Sequence, residues 1–108
     1  MFFNVQEARN QLLNHGQVYT IRPKLRKTGR DIAVTGSYYH KERLGEIQIE
    51  FVMKVDQERY KEELQPYLIA SGFSDIGSWW DEAKKDEKGS GYLFNVCLSK
   101  EAGGSRIK

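Results

Sequence analysis

The most concentrated chemistry in this sequence is a run of cations that follows a short strand-like segment. Five positive side chains fall within nine residues, with no acidic residue before Asp31: Arg22, Lys24, Arg26, Lys27 and Arg30. Because clustered like charges repel one another, a folded domain that keeps such a cluster often binds an anionic partner. Arginine holds phosphate through two hydrogen bonds, so the cluster predicts contacts with a nucleic-acid backbone.

Charge is distributed unevenly along the chain. Residues 1–44 hold eight Lys/Arg against three Asp/Glu, residues 45–89 hold six against eleven, and residues 90–108 hold three against one. A chain with a net charge of only +2 but one strongly basic part suits a local anion site better than nonspecific coating of an anionic surface. The alternative is a solvated loop whose cations pair with the acidic middle segment.

A second candidate is the aromatic and basic run that contains Tyr38, Tyr39 and Lys41. Rings stack on unpaired bases while neighbouring cations hold the adjoining phosphates, a combination suited to single strands. The alternative is a hairpin with one tyrosine in the core and the other on the surface.

Other chemistries have little support. The only two histidines, His15 and His40, lie in separate segments without ligand spacing, and the single Cys97 excludes an internal disulfide. We therefore predict no metal site and no cofactor. No apolar run approaches the roughly 20 residues that span a bilayer, and no secretory signal opens the chain. We expect a cytoplasmic monomer without membrane contact.

The order of elements predicts an α+β domain over residues 1–100, with 101–108 as a frayed tail. We expect strands at 17–22, 31–35, 46–55 and 92–98, helices at 5–14, 66–70 and 75–85, and a helix or turn at 57–64. Alternate apolar residues in the third strand predict one buried face that only Val52 interrupts: Ile47, Ile49, Phe51, Met53 and Val55. Curling the small mixed or antiparallel sheet into a partial barrel would remove its exposed edges.

Local signals specify how these elements begin and pack. Asn4 is the expected cap of the first helix, and Ser74 or Asp75 the cap of the last. Trp79 and Trp80 lie 100° apart on a helix, so one should face the core while the other is partly exposed or touches a neighbouring element.

The side chains of the first strand alternate between its two faces, which places residues that could bind a ligand together. Val18, Thr20 and Arg22 share one face of this strand. An arginine there either bridges a carboxylate inside the fold or meets a ligand in a cleft, and both alternatives remain open.

Two segments resemble the ASCH domain, a member of the PUA-like superfamily. Residues 15–22 resemble the signature of glycine, spacer, lysine, two residues, an acid or threonine, one residue, then arginine. Residues 70–75, followed by Trp79 and Trp80, resemble the "SGF" turn and the tryptophan-bearing helix of that family. The strand at 46–55 and the closing strand that begins at Tyr92 complete a resemblance that covers about residues 5–99.

The resemblance implies a small β-barrel with flanking short helices and a cleft beside the signature strand. The family is generally proposed to bind RNA, and some small members hydrolyse the acyl group of N4-acetylcytidine with a lysine, a threonine and a glutamate. Thr20 and Arg22 match the signature, whereas Gln17 stands in place of the lysine, and the glycine falls one place late, at Gly16. An amide does not titrate near neutral pH, so the sequence favours binding over catalysis.

The leading hypothesis is a noncatalytic RNA-binding module. Thr20 and Arg22 would lie in the cleft, the cations of residues 24–30 would hold phosphates, and Tyr38 or Tyr39 would stack on a base. The alternatives are a small hydrolase of a modified nucleoside, which needs a titratable group such as Lys24 or Glu50 beside Thr20, and a protein-interaction domain.

Overall fold

The computed structural model describes residues 1–84 and 89–99. Its helices are α1 (Gln6–His15), α2 (Tyr60–Glu63), a 3₁₀ helix (Gln65–Ala70) and α3 (Ile76–Lys84). Its strands are β1 (Gln17–Arg22), β2 (Gly29–Gly36), β3 (Lys41–Val55) and β4 (Gly91–Leu98). The expected tail at 101–108 and the last expected residue of the final helix, Lys85, lie outside the described residues. None of the described helices is long and apolar enough to cross a bilayer.

The four strands form one antiparallel sheet in the order β1-β4-β3-β2. This confirms the α+β class. The ladder between β1 and β2 that would close a barrel is absent from the described residues, so the sheet is open. A short parallel bridge between Phe2 and Val34 extends the β2 edge with the N-terminal segment, where the Phe3 amide donates to the Val34 carbonyl at 2.8 Å.

Both faces of the sheet bury apolar side chains. On one face, α1 and Phe3 cover residues of all four strands, among them Val18, Ala33, Ile47, Phe94 and Val96. On the other face, the 3₁₀ helix and α3 cover a second group: Ile21, Val55, Leu64, Trp79, Trp80 and Leu93. Each fully buried side chain of this size stabilises the fold by roughly 1.5–3 kcal/mol, so the sheet is held in place from both sides.

The two ends of β1 are set by residues that break regular structure. Gly16 ends α1 in the left-handed conformation with φ 76°, and its amide donates to the Leu12 carbonyl at 2.8 Å. This conformation carries little penalty for glycine. Pro23 follows Arg22, where β1 ends. Both boundaries were predicted. Between them the chain is extended, so Thr20 and Arg22, two positions apart, share one face of the strand.

The expected cap at Asn4 is wrong. Val5 occupies the capping position of α1, which has no side-chain cap. The Asn4 side chain instead pairs with the β2–β3 turn. Its Nδ2 donates to the Gly36 carbonyl at 2.9 Å, and its Oδ1 accepts from the Gly36 amide at 2.8 Å and from the Thr35 hydroxyl at 2.9 Å. These bonds fasten the N-terminal segment to the sheet.

The predicted cap of α3 is confirmed at Asp75. Its carboxylate accepts from the Ser78 amide at 2.8 Å and from the Ser78 hydroxyl at 3.0 Å. These hydrogen bonds hold the pKa of Asp75 below its ordinary value. The cap therefore fixes where the helix starts, and with it the direction in which the tryptophans point.

Both tryptophans are buried, at 2% and 3% exposure, so the alternative of one partly exposed ring is wrong. The Trp80 ring stacks on Tyr60 of α2 with centroids 4.6 Å apart, and its indole N–H donates to Gln57 at 3.1 Å. The segment after β3 thus covers Trp80.

The predicted alternation of β3 is interrupted near its end. The pairing with β4 shifts between Phe51 and Met53, leaving Val52 as the extra residue of a bulge. Val52 consequently packs against the second core group, while Phe51 is 45% exposed and contacts only the edge of Phe94 among the aromatic rings described. The strand also begins at Lys41, five residues before the predicted start.

Candidate functional site

A cavity of about 230 Å³ lies at the end of β1, where the strand meets the start of α1 and one face of α3. Thr20 and Arg22 line it, as the alternation of β1 predicted. Four aromatic rings also line it: Phe2, Phe3, Phe73 and Trp79. The cavity is therefore apolar over much of its wall, with a few polar groups in it, which is the usual composition of a ligand site.

Arg22 is the most unusual side chain in this cavity. Part of it reaches solvent at the mouth, but its Nε is buried and has no hydrogen-bond partner. The guanidinium carbon lies 5.0 Å from the centre of the Phe3 ring. Among the described residues, no carboxylate forms an ion pair with Arg22. An internal bridge to a carboxylate is thus not what holds this arginine.

Burial, and to a smaller extent the positive charge of Arg26, lower the pKa of Arg22 to about 10. A pKa of about 10 still leaves the guanidinium protonated at neutral pH. Arg22 therefore brings into the cavity, next to apolar rings, a positive charge that is in no ion pair with a described residue. A buried donor without an acceptor costs about 1–3 kcal/mol or more when it is charged, so an acceptor that entered the cavity would recover this free energy.

Thr20 lies two residues before Arg22 on the same face and is 6% exposed. Its hydroxyl can both donate and accept a hydrogen bond. Thr20 and Arg22 together offer a short polar strip within the apolar cavity.

The loop after β1 carries the other predicted cations. Lys24, Arg26 and Lys27 are exposed between β1 and β2, and Arg30 is exposed on β2. Within the part of the chain that the structure describes, none of these four residues forms an ion pair. The alternative in which they pair with the acidic middle segment is therefore not realised there. Of the four, Arg26 is the one whose positive charge lowers the pKa of Arg22 in the cavity.

The β2–β3 turn carries the predicted aromatic pair. Tyr38 and Tyr39 are 72% and 86% exposed, so the alternative with one core tyrosine is wrong. Their rings meet edge to face with centroids 5.2 Å apart. The Lys41 ammonium lies 4.8 Å from the centre of the Tyr38 ring and 6.0 Å from that of Phe2. Since Phe2 also lines the cavity, the aromatic turn and the cavity form neighbouring parts of one surface.

The residues of the hydrolase alternative lie elsewhere. The Gln17 amide donates to Asn95 at 2.7 Å, and the Asn95 amide donates to Glu50 at 3.2 Å. This polar chain lies on the face of β1 opposite Thr20, because residues 17 and 20 differ by an odd number of positions. Neither Glu50 nor Lys24 lines the cavity, so the titratable group that this alternative needs comes from neither of them.

Several cavity residues were not singled out from the sequence. Phe2 and Phe3 reach the site through contacts with β2, more than 30 positions away, and no local pattern signals this. Trp79, Glu82 and Ala83 line it together, and their i, i+3, i+4 spacing on α3 is a signal that could have placed them on one face. Glu82 is half-buried in the cavity wall.

Neither a protein-family model, nor a curated protein, nor a solved structure matches this chain. Functional inference therefore starts from the cavity and the surface around it.

Proposed function

We propose that this protein binds single-stranded nucleic acid, with RNA as the natural ligand, through the Arg22 cavity and the cationic and aromatic surface beside it. The observation that carries the proposal is the buried Nε of Arg22, which is protonated and has no acceptor. Folding the chain with this group unpaired is unfavourable. A ligand that supplies the acceptor removes the penalty.

The arrangement of the surrounding groups supports a strand-shaped ligand. The cavity, Phe2, Lys41 and Tyr38 follow one another across the surface. Phosphates can lie along the cations of the loop after β1 while an unpaired base stacks on the exposed tyrosines. A duplex keeps its bases inside, so rings at the tip of a turn favour single strands.

The resemblance to the ASCH domain supports RNA over DNA, since that family is generally proposed to bind RNA. We include the PUA-like assignment in the proposal. In this assignment β1 is the signature strand.

The test is an anisotropy titration of labelled single-stranded and duplex RNA of the same sequence over a salt series. We expect the single strand to bind more tightly, with affinity falling as salt rises. Three phosphate contacts would give a slope of roughly −2 in log K against log[salt], at about −0.7 per contact.

Two lysine variants sharpen this experiment. Lys27→Ala should reduce the slope by about 0.7 for every sequence, because one phosphate contact is lost. Lys61→Ala is the matched control: Lys61 is an exposed lysine on α2 that does not line the cavity, and its removal should leave the slope unchanged. No binding at about 50 mM salt, where phosphate contacts are least screened, would contradict the proposal.

A further inference from the structure

We propose that the Arg22 cavity recognises a terminal phosphate of the strand, as opposed to a phosphate within the chain. This inference rests on the proposed function and adds to it a preference for one kind of strand end. It follows from the geometry of the guanidinium, the charge around it and the size of the cavity.

The unpartnered Nε of Arg22 indicates the shape of the ligand group that would accept its hydrogen bond. The Nε–H and the Nη–H beside it point in the same direction and form the side-on fork with which arginine holds two oxygens of one oxyanion. Thr20, on the same face of β1, adds a hydroxyl that can donate to a third oxygen. A tetrahedral oxyanion uses all of these donors, whereas a single carbonyl uses only one or two.

The charge near Arg22 favours a group with more than one negative charge. The charged neighbour that acts on Arg22 is another cation, Arg26, and no carboxylate in the described part of the chain forms an ion pair with either residue. A phosphate monoester carries about −1.5 to −2 at pH 7, whereas a phosphodiester within a chain carries about −1. The monoester is the better match for two guanidinium groups.

The size of the cavity favours a phosphate at the end of a nucleic-acid strand over a phosphate within it. At about 230 Å³ it is smaller than the roughly 300–1,000 Å³ of pockets that enclose drug-sized ligands. An internal phosphodiester would have to bring a nucleoside on each side to reach the buried Nε. A terminal monoester brings only one, whose sugar and base can pack against Phe2, Phe73 and Trp79 at the wall.

Glu82 is the one acidic residue among the described residues that line the cavity. This carboxylate carries the same sign of charge as a phosphate, so a phosphate directly beside it is disfavoured. The phosphate therefore belongs at the β1 end of the cavity, beside Arg22, with the nucleoside directed towards α3.

The test compares three single-stranded RNAs of one sequence, about ten nucleotides long, that carry a 5′-phosphate, a 3′-phosphate or hydroxyls at both ends. One of the two phosphorylated RNAs should bind the wild-type protein at least about tenfold more tightly than the RNA with hydroxyls at both ends, as expected for a charge-assisted bidentate contact. Arg22→Lys keeps the charge but loses the fork, so this ratio should fall clearly below the wild-type value. Lys24→Ala should weaken all three strands equally and keep the ratio.

The outcomes separate this inference from the proposed function. Equal binding of all three strands overturns end recognition but leaves single-strand binding intact, and no binding of any strand overturns both. An Arg22→Lys protein that folds and keeps the ratio overturns the assignment to Arg22. If that variant does not fold, end recognition is tested by competition on the wild-type protein. Uridine 5′-monophosphate or uridine 3′-monophosphate should displace the labelled strand at concentrations at which uridine does not. Equal displacement by all three compounds would contradict the inference.

Discussion

Replacing Arg22 with methionine should make the protein more stable while it abolishes ligand binding. Methionine keeps the length and most of the apolar stem of arginine but removes the charge and the unpartnered Nε. Most changes at partly buried positions destabilise proteins, so a gain in stability would be a specific sign that the arginine is retained for binding.

The size of the gain follows from the pKa of Arg22. The lowering of this pKa to about 10 corresponds to about 3 kcal/mol against the charged form in the folded state, at 1.36 kcal/mol for each pKa unit. Solvent at the mouth reduces this to about 2 kcal/mol. Loss of the contact with the Phe3 ring, 5.0 Å away, removes about 0.5–1 kcal/mol. The net expectation is a stabilisation of about 1–1.5 kcal/mol, or an increase in Tm of about 5–10 °C for a domain of this size.

The assay is urea unfolding of the wild-type protein and the variant at several pH values. The folded pKa of Arg22 is lower than its unfolded pKa, so the penalty is fully present below about pH 10 and disappears as the pH rises from there towards the unfolded pKa. The stability difference between the two proteins should be constant from about pH 6 to 9 and should shrink above about pH 10.

Arg9→Met is the matched control. The Arg9 Nη1 donates to the Phe3 carbonyl and to the Thr35 hydroxyl, each at 3.2 Å, so its removal should cost about 1–2 kcal/mol. The reasoning is refuted if Arg22→Met lowers the stability as Arg9→Met does, because Arg22 would then hold the fold together.

Three further predictions concern the aromatic turn, the helix packing and the cavity wall. Tyr39→Ala should reduce affinity for single-stranded RNA about tenfold by removing a stacking surface without changing Tm, since the ring is 86% exposed; unchanged affinity in the anisotropy titration would exclude stacking there. Gly72→Ala should lower the free energy of unfolding by about 2–4 kcal/mol in urea, because Gly72 has φ +89° and an added Cβ would collide with the Glu7 carbonyl. An unchanged free energy of unfolding would show that this turn is not packed against α1. Glu82→Gln should strengthen binding of phosphate-ended RNA about two- to threefold by removing a like charge from the wall, and weaker binding would show that this carboxylate contacts the ligand favourably.

The features predicted correctly from the sequence depend on local geometry. The alternation of β1 places Thr20 and Arg22 on one face, and Gly16 and Pro23 bound the strand because of their backbone conformations. The cap at Asp75 follows from the preference of short polar side chains for helix starts. These local rules were sufficient to put two residues into the cavity.

The features that could not be predicted depend on contacts between distant parts of the chain. Asn4 carries the signal of a helix cap, but the backbone of Gly36, 32 positions away, offers it both a donor and an acceptor. The same pairing brings Phe2 and Phe3 to the cavity. Val52 interrupts the alternation of β3 in the sequence, but that it is the extra residue of a bulge depends on the register with β4.

The most direct test of the central claim is the NMR signal of the Arg22 side-chain Nε–H, assigned by its absence from the Arg22→Met spectrum. A buried Nε–H that gains an oxyanion acceptor should shift downfield when single-stranded RNA is added, and it should exchange more slowly with water. If backbone amides elsewhere shift on addition of RNA while the Arg22 Nε–H signal stays unchanged, the cavity is not where the ligand binds.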